Sequence, residues 1–165
     1  LASHGAAIGI ITSMYLYNNK ILHKSVLWIL DRMVIPVAIG GAFIRIGNFF
    51  NSEIIGYKTD SIFGVVFKTL GEDFARHPAQ LYEAFGYIVI FVIMYFIYWK
   101  TNKASISGYM FGLFFVLLWS LRFVIEFFKL AQVEGREDWI LGMNTGQVLS
   151  VPFIILGIYL MFRKR

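Results

Sequence analysis

A short stretch rich in polar side chains, RIGNFFNSEIIG, occupies residues 45–56 at the end of a long apolar segment. It contains Arg45, Asn48, Asn51 and Glu53, and it ends at Gly56. An arginine can hold a phosphate through two parallel N–H donors, amides can donate further hydrogen bonds, and a carboxylate can orient the arginine. This combination of residue types predicts a binding site for an anionic group, in which charge is stabilised and one proton is moved.

Three other parts of the chain carry polar residues of the same kinds. They contribute His4 in HGA, then His77, Gln80 and Glu83 in HPAQLYE, and finally Arg122, Glu126 and Gln147 in RFVIEFFK and GMNTGQ. Arg122 and Glu126 are four residues apart, so they are expected on one helix face. There they either neutralise each other or form an arginine held in orientation for a phosphate.

Simpler structural interpretations remain open for several of these residues. Arg45 can extend its side chain to the membrane interface without binding anything. Asn48 and Asn51 can cap a helix end, and His77 before Pro78 is typical of a helix start. The polar residues are more informative as a group, if the fold brings them to one depth.

Several chemistries are disfavoured by the sequence. Without cysteine there is neither a thiolate metal site nor a cysteine nucleophile of the chain's own. Carboxylates and histidines are not clustered at ligand spacing, so we expect no metal. A glycine-rich phosphate loop and a G-x-S-x-G nucleophile motif are both missing from the sequence. We therefore expect no cofactor.

The composition indicates an integral membrane protein. Of the 165 residues, 58% are hydrophobic and only 15% are charged, and the mean hydropathy is +0.68. Soluble domains have about a quarter charged residues. The net charge of +5 fits basic loops on the cytoplasmic side, and we expect no nucleic-acid partner.

The apolar segments predict an all-α, polytopic membrane protein with about five transmembrane helices. The predicted spans are residues 2–17, 26–50, 80–99, 106–128 and 144–162. Residues 1–165 are expected to form a single transmembrane domain, with 51–79 as an extracytoplasmic loop or small insertion. Within that loop, SIFGVVFKTLG predicts either a short strand pair or an amphipathic piece lying on the membrane.

Basic residues predict the orientation. Lys20 and Lys24, Lys100 and Lys103, and the C-terminal Arg163 to Arg165 lie in segments without acids, which is typical of the cytoplasmic face. The C-terminus is then cytoplasmic. Nearly all intramembrane polar residues fall in the outer half of the bilayer, with Asp31 and Arg32 as exceptions. Charges in the membrane are costly and rare, so this arrangement predicts a shared polar cavity open to the outer leaflet.

The motifs resemble those of the bacterial prolipoprotein diacylglyceryl transferases. RIGNFFNSEIIG resembles the family signature, and HGA, HPAQLYE, RFVIEFFK and GMNTGQVLS match other family stretches in order over nearly the whole chain. Two departures are Ile44, where the family usually has glycine, and Ala6 in a stretch that usually reads HGG. The family has seven transmembrane helices, so we expect this chain, which begins inside an apolar run, to lack the N-terminal part.

The resemblance implies a function and residue roles. The family transfers the sn-1,2-diacylglyceryl group of phosphatidylglycerol to the lipobox cysteine of a prolipoprotein signal peptide, at the bacterial inner membrane, and releases glycerol phosphate. It implies His4 as the candidate base. Arg45 is implied to hold the phosphodiester, and Arg122, positioned by Glu126, to stabilise either the departing glycerol phosphate or the incoming thiolate. With His4, these are the implied catalytic residues. The implied substrate-binding residues are Asn48, Asn51, Glu53, Gly56, His77, Gln80, Glu83 and Gln147, besides Arg45.

Two alternatives remain at this stage. A phospholipid-binding or lipid-moving protein without covalent chemistry would need the same outer polar cavity, and a different headgroup-transfer enzyme is also possible. The fixed spacing of arginine, asparagines, glutamate and glycine favours the transferase. Release of water-soluble glycerol phosphate would distinguish the three.

Overall fold

Five α-helices make up most of the part of the chain that the structure describes. The computed structural model describes residues 2–130 and 143–163, apart from the side chains of residues 2–7 and Ile11. The helices are α1 (Ala2–Tyr17), α2 (Val26–Phe50), α3 (Ala79–Lys100), α4 (Tyr109–Ile125) and α5 (Thr145–Phe162). A π-helical turn, Asn18–Leu22, follows α1, and a 3-10 turn, Asn102–Ser105, precedes α4.

The helices fall where the hydropathy predicted them, which confirms the all-α membrane fold. Helix α2 has the predicted bounds, and the ends of the other helices differ by at most a few residues. By length and composition, α2, α3 and α5 are each sufficient to cross a membrane, and α4 is a shorter apolar helix. The number of five spans stays a prediction.

The helices pack through a small apolar core. Buried residues of α2, α3 and α4 form one cluster: Val34, Ala38, Ile90, Met94, Met110 and Phe114. On the other side, α4 meets α5 where Gly112 faces Gly157. A Cβ on Gly112 would lie 2.6 Å from the Gly157 carbonyl oxygen. Glycine at this crossing therefore allows the backbones to approach closely, as is common between membrane helices.

The segment between α2 and α3 has its own small structure. Strand β1 (Val65–Val66) pairs antiparallel with β2 (Ala75–Arg76), and a 3-10 turn, Lys68–Leu70, lies between them. One of these strands lies within the predicted stretch 61–71, and its partner lies just beyond it. Arg76 donates two hydrogen bonds of 2.6 Å to Glu72, and its guanidinium lowers the pKa of the Glu72 carboxyl.

At the opposite end of α2, Asp31 joins two helices. Its carboxylate accepts hydrogen bonds from the backbone N–H groups of Gly108, at 2.5 Å, and Phe111, at 2.9 Å. Only 1% of Asp31 is exposed. The first N–H groups of a helix have no intrahelical acceptor, and the N-terminus of a helix favours negative charge. This acidic residue therefore fixes the start of α4 against α2.

Replacing Asp31 tests this connection. Asp31→Ala leaves two buried N–H groups without an acceptor and is expected to lower the free energy of unfolding by about 2–3 kcal/mol. Asp31→Asn keeps one acceptor and should cost less. The measurement is denaturation of the purified protein in detergent, with Asp60→Ala, at an exposed loop position, as the control. Equal stability of Asp31→Ala and the control would contradict this role.

Candidate functional site

Arg45, Asn48 and Glu53 form a hydrogen-bonded chain at the end of α2. Arg45 Nη1 donates to Asn48 Oδ1 at 3.3 Å, and Asn48 Nδ2 donates to Glu53 Oε2 at 2.7 Å. Asn48 follows Arg45 by three positions, so the two side chains are neighbours on the helix surface. Asn48 thus links the Glu53 carboxylate to the Arg45 guanidinium, and the carboxylate orients the guanidinium through it.

The backbone around Glu53 is strained in a way that supports this chain. Ser52 has φ of 56° and Ile54 has φ of 57°, both in the left-handed region. For a β-branched residue such as Ile54 this conformation is a genuine outlier, and such strain costs about 1–3 kcal/mol. It reverses the chain after α2, so the Glu53 N–H bonds to the Asn48 carbonyl at 2.9 Å. Glu53 is thereby held beside Asn48.

A buried carboxylate from α3, Glu83, contacts two cations. Its Oε2 lies 2.5 Å from Arg45 Nε, and its Oε1 lies 3.4 Å from Lys129 Nζ. The Arg45 contact is an ion pair without hydrogen-bond geometry, since Oε2 accepts no hydrogen bond. Glu83 is 2% exposed and Lys129 5%. Buried charges persist in proteins when they are paired, so these three side chains form one unit.

Three chain segments meet at Gly56, which explains why this position is glycine. Gly56 N–H donates to the His77 carbonyl at 3.0 Å, and Gly56 is bridged antiparallel to Lys129. A Cβ on Gly56 would lie 2.5 Å from the His77 oxygen and 2.6 Å from the Phe128 oxygen. Any larger residue would separate these segments, which carry Glu53, His77 and Lys129.

Gln80 and His77 support the junction from the start of α3. Gln80 is fully buried, and its Nε2 donates to the Glu53 carbonyl at 2.6 Å. Its Oε1 has no partner. His77 Nδ1 lies 3.1 Å from the Tyr82 hydroxyl, and its ring packs on Phe128 at 5.4 Å. The histidine predicted to bind substrate is therefore at least partly a packing residue.

The predicted ion pair between Arg122 and Glu126 is not formed. The Arg122 guanidinium lies over the Trp119 ring, 5.7 Å from its centroid, and its Nε has no hydrogen-bond partner. Helix α4 ends at Ile125, and the Glu126 carboxyl instead lies against Gly146 in the first turn of α5. The N-terminus of a helix attracts negative charge, which explains why the carboxylate turns away from Arg122.

Gln147 has a structural role at the start of α5. It forms a reciprocal capping box with Asn144, in which each side chain bonds the other's backbone N–H. Among the described residues, its remaining Nε2 has no hydrogen-bond partner, and the same holds for the buried Thr145 Oγ1 and Glu126 Oε2.

Tyr87 and Lys129 belong to the site but were not predicted. Tyr87, one turn along α3 from Glu83, interacts electrostatically with Arg45, Glu83 and Arg122. Lys129 is the last residue of the RFVIEFFK motif. The sequence signal for its role was its position directly after the apolar residues Phe127 and Phe128, because a lysine beside apolar residues requires a charged partner.

One predicted site residue, Asn51, stands apart from this network. Asn51 caps the C-terminal end of α2 through its backbone, and it is exposed. Among the described residues, nothing accepts or donates a hydrogen bond to its side chain. His4 lies in α1, but its side chain is outside the described residues. Roles for both in substrate binding or catalysis stay predictions.

The arrangement suits binding of an anion beside a membrane. Arg45 and Lys129 provide positive charge. The carboxylates of Glu83 and Glu53 orient the Arg45 side chain, and Arg122 lies nearby. Arginine binds phosphate through a planar fork of N–H donors. The polar residues sit at the ends of α2 and α4 and at the start of α3, so they share one end of the bundle. The fold and the site together define a multi-pass membrane protein with a cluster of buried charged residues among its helix ends.

Comparison with known proteins gives the family. The family model for prolipoprotein diacylglyceryl transferase matches residues 1–163, and the chain belongs to this family. It is 45% identical over 161 residues to the phosphatidylglycerol–prolipoprotein diacylglyceryl transferase of Tolumonas auensis, covering 98% of this chain and 61% of that protein. The enzymes of the same name from Chloroherpeton thalassium and Porphyromonas gingivalis are each 40% identical, covering 99% of this chain and 60% and 62% of theirs.

These matches confirm the resemblance seen in the motifs, but they cover only part of the relatives. The chain spans about 60% of the length of the relatives that it matches. The activity of the whole protein is therefore a matter for proposal.

Gly56→Ala tests the junction. We expect the added methyl group to separate the three segments and to lower the free energy of unfolding by about 1–3 kcal/mol, as overpacking does. Gly47→Ala is the matched control, because a Cβ there meets nothing within 4 Å. Thermal denaturation in detergent compares the two variants. A Gly56→Ala protein as stable as the control would show that the close approach is not needed.

Proposed function

We propose that the complete protein transfers the sn-1,2-diacylglyceryl group from phosphatidylglycerol to the lipobox cysteine of a prolipoprotein, the first step of bacterial lipoprotein maturation. The observation that carries the proposal is the oriented Arg45, held by Asn48 and Glu83 at the end of a membrane-length helix. A phosphodiester is the anion that a phospholipid presents at this depth. The names of the relatives support the same reaction.

The reaction places defined demands on the site. The cysteine sulfur attacks the terminal glyceryl carbon, a C–S bond forms, and the C–O bond to phosphate breaks. The thiol proton must leave, because the thiolate is the nucleophile, and glycerol phosphate departs with the negative charge. Arg45 holds the phosphate and stabilises this charge, and Arg122 is proposed to assist. The chain has no cysteine, and the nucleophile arrives on the partner.

The remaining roles follow the motif positions. His4 is the proposed base, and Asn48 and Glu53 orient Arg45. The proposed substrate-binding set is completed by Glu83 together with Asn51, Gly56, His77, Gln80 and Gln147. Glu126 is proposed to act at the start of α5. No metal or other cofactor is invoked.

We also propose that the protein resides in the bacterial inner membrane with its C-terminus in the cytoplasm. Residues 1–165 then form one transmembrane domain, and the loop 51–79 is extracytoplasmic. The site faces the outer leaflet, where phosphatidylglycerol headgroups and exported signal peptides meet. The distribution of lysine and arginine supports this orientation.

A lipid-binding protein without covalent chemistry is the rival function. The same cluster of charged residues favours this function, since lipid binding alone needs no base and no leaving group. It predicts phosphatidylglycerol binding without release of glycerol phosphate, whereas an unrelated headgroup-transfer enzyme predicts release without modification of a peptide.

Arg45→Ala tests the transferase. With the full-length protein in phosphatidylglycerol vesicles and a lipobox peptide, we expect diacylglyceryl-modified peptide and glycerol phosphate from the wild type. The variant should lose at least about a hundredfold in rate, because one donor to developing charge contributes about 3–4 kcal/mol. Peptide mass and glycerol phosphate are both followed.

Arg32→Ala is the matched control, since Arg32 lies on the same helix but packs on Trp28 at the other end. It should retain activity. An unmodified peptide with a folded, lipid-binding wild type would support the binding protein instead.

Single cysteines test the orientation. In a cysteine-free full-length protein, Asp60→Cys should react from outside intact cells with a membrane-impermeant maleimide. Asn102→Cys, in the exposed turn before α4, should react only after the membrane is opened. The reverse pattern would place the site on the cytoplasmic side and would contradict the proposed access to exported substrates.

A further inference from the structure

Lys129 is the buried charge that the proposed mechanism leaves unused. Its ammonium group lies 3.4 Å from Glu83 Oε1, and it is only 5% exposed. Lysine is strongly hydrated and is almost never fully buried without a partner. A lysine in this position therefore has a cost that some property of the site must offset.

The backbone holds Lys129 in place independently of its side chain. Lys129 is bridged antiparallel to Gly56, the Tyr57 N–H donates to the Phe128 carbonyl at 3.0 Å, and the Leu130 N–H donates to the Ile55 carbonyl at 3.2 Å. The residue that carries the ammonium group is thus fixed against the same segment that follows Glu53. Its distance from Glu83 is a property of the fold.

The charge balance explains what the lysine contributes. Arg45 and Glu83 alone would form a neutral pair, and the buried carboxylate would repel an approaching phosphate at short range. With Lys129 included, two cations share one carboxylate, which leaves one net positive charge. Glu53 is exposed, so its charge is more strongly screened by water and salt. Among the residues that contact Glu83, the net positive charge therefore depends on Lys129.

We infer that Lys129 sets the charge of the lipid phosphate site. It neutralises and holds Glu83, which in turn positions Arg45, and so leaves the arginine with a positive field for an anionic headgroup. This inference rests on the proposed function, because it concerns the same headgroup. Lys129 is a positioning residue, since it acts through Glu83.

The test compares variants of the full-length protein in vesicles that contain phosphatidylglycerol diluted with phosphatidylcholine. Lys129→Met and Lys129→Gln should raise the KM for phosphatidylglycerol about tenfold, the order expected when one unit charge near a bound anion is removed, with a smaller change in kcat. Lys129→Arg should retain the wild-type KM. Lys68→Met, at an exposed lysine of the loop 51–79, is the control and should leave KM unchanged.

A double variant that restores the net charge distinguishes an electrostatic role of Lys129 from a purely structural one. In Glu83→Gln/Lys129→Met the carboxylate and the ammonium are both lost, so Arg45 again supplies one net positive charge. KM should return towards the wild-type value, whereas a purely structural lysine would make the double variant no better than Lys129→Met. The Gln variant keeps a donor to Glu83, so the test remains decisive if the Met variant does not fold.

A binding measurement distinguishes the two levels of proposal. Competition between phosphatidylglycerol and phosphatidylcholine for the purified protein should show a preference for the anionic lipid that Lys129→Gln reduces about tenfold. Wild-type protein that binds phosphatidylglycerol but modifies no peptide would overturn the transferase and leave the role of Lys129 in binding intact. Wild-type transfer with unchanged KM and lipid preference in the Lys129 variants would overturn the inference alone.

Discussion

The burial of Glu83 is the constraint on which the site depends. A carboxylate removed from water is stable only when cations compensate it, and here those cations come from two other segments of the chain. Arg45 arrives on the end of α2 and Lys129 on the segment after α4. Because both must reach one carboxylate on α3, the ends of three helices are brought together. The charged cluster is a consequence of this electrostatic requirement.

The junction at Gly56 satisfies the same requirement by backbone contacts. Tight approach of the segments at Gly56, His77 and Phe128 lets the Lys129 side chain turn inward to Glu83. The left-handed conformation of Ile54 is compatible with this packing and is stabilised by the contacts around it, including the bond from Gln80 to the Glu53 carbonyl. At the other end of α2, Asp31 holds α4. Helix α2 is thus attached at both ends, which fixes Arg45 relative to its partners.

Hydropathy was sufficient to predict the helices, because membrane-length apolar segments need no knowledge of their neighbours. The prediction for 26–50 agreed with the structure residue by residue. The contact of Arg45 with Asn48, three positions further along the helix, was not predicted. Local spacing was wrong for Arg122 and Glu126, since the helix ends at Ile125 and the carboxylate lies against Gly146 of α5 instead. The pairing of Glu83 with Lys129 could not be predicted, because it joins residues far apart in the sequence.

The wide sequence separation of the partners also matters during synthesis. Helix α2 leaves the ribosome before α3 and well before Lys129, so Arg45 is translated while its carboxylate partner does not yet exist. At a helix end, the long side chain can meanwhile reach the headgroup region and remain hydrated. Glu83 is then translated when its partner Arg45 is already present, and Lys129 is translated last. The order of the chain thus lets each costly charge enter the bilayer either at its edge or with a partner present.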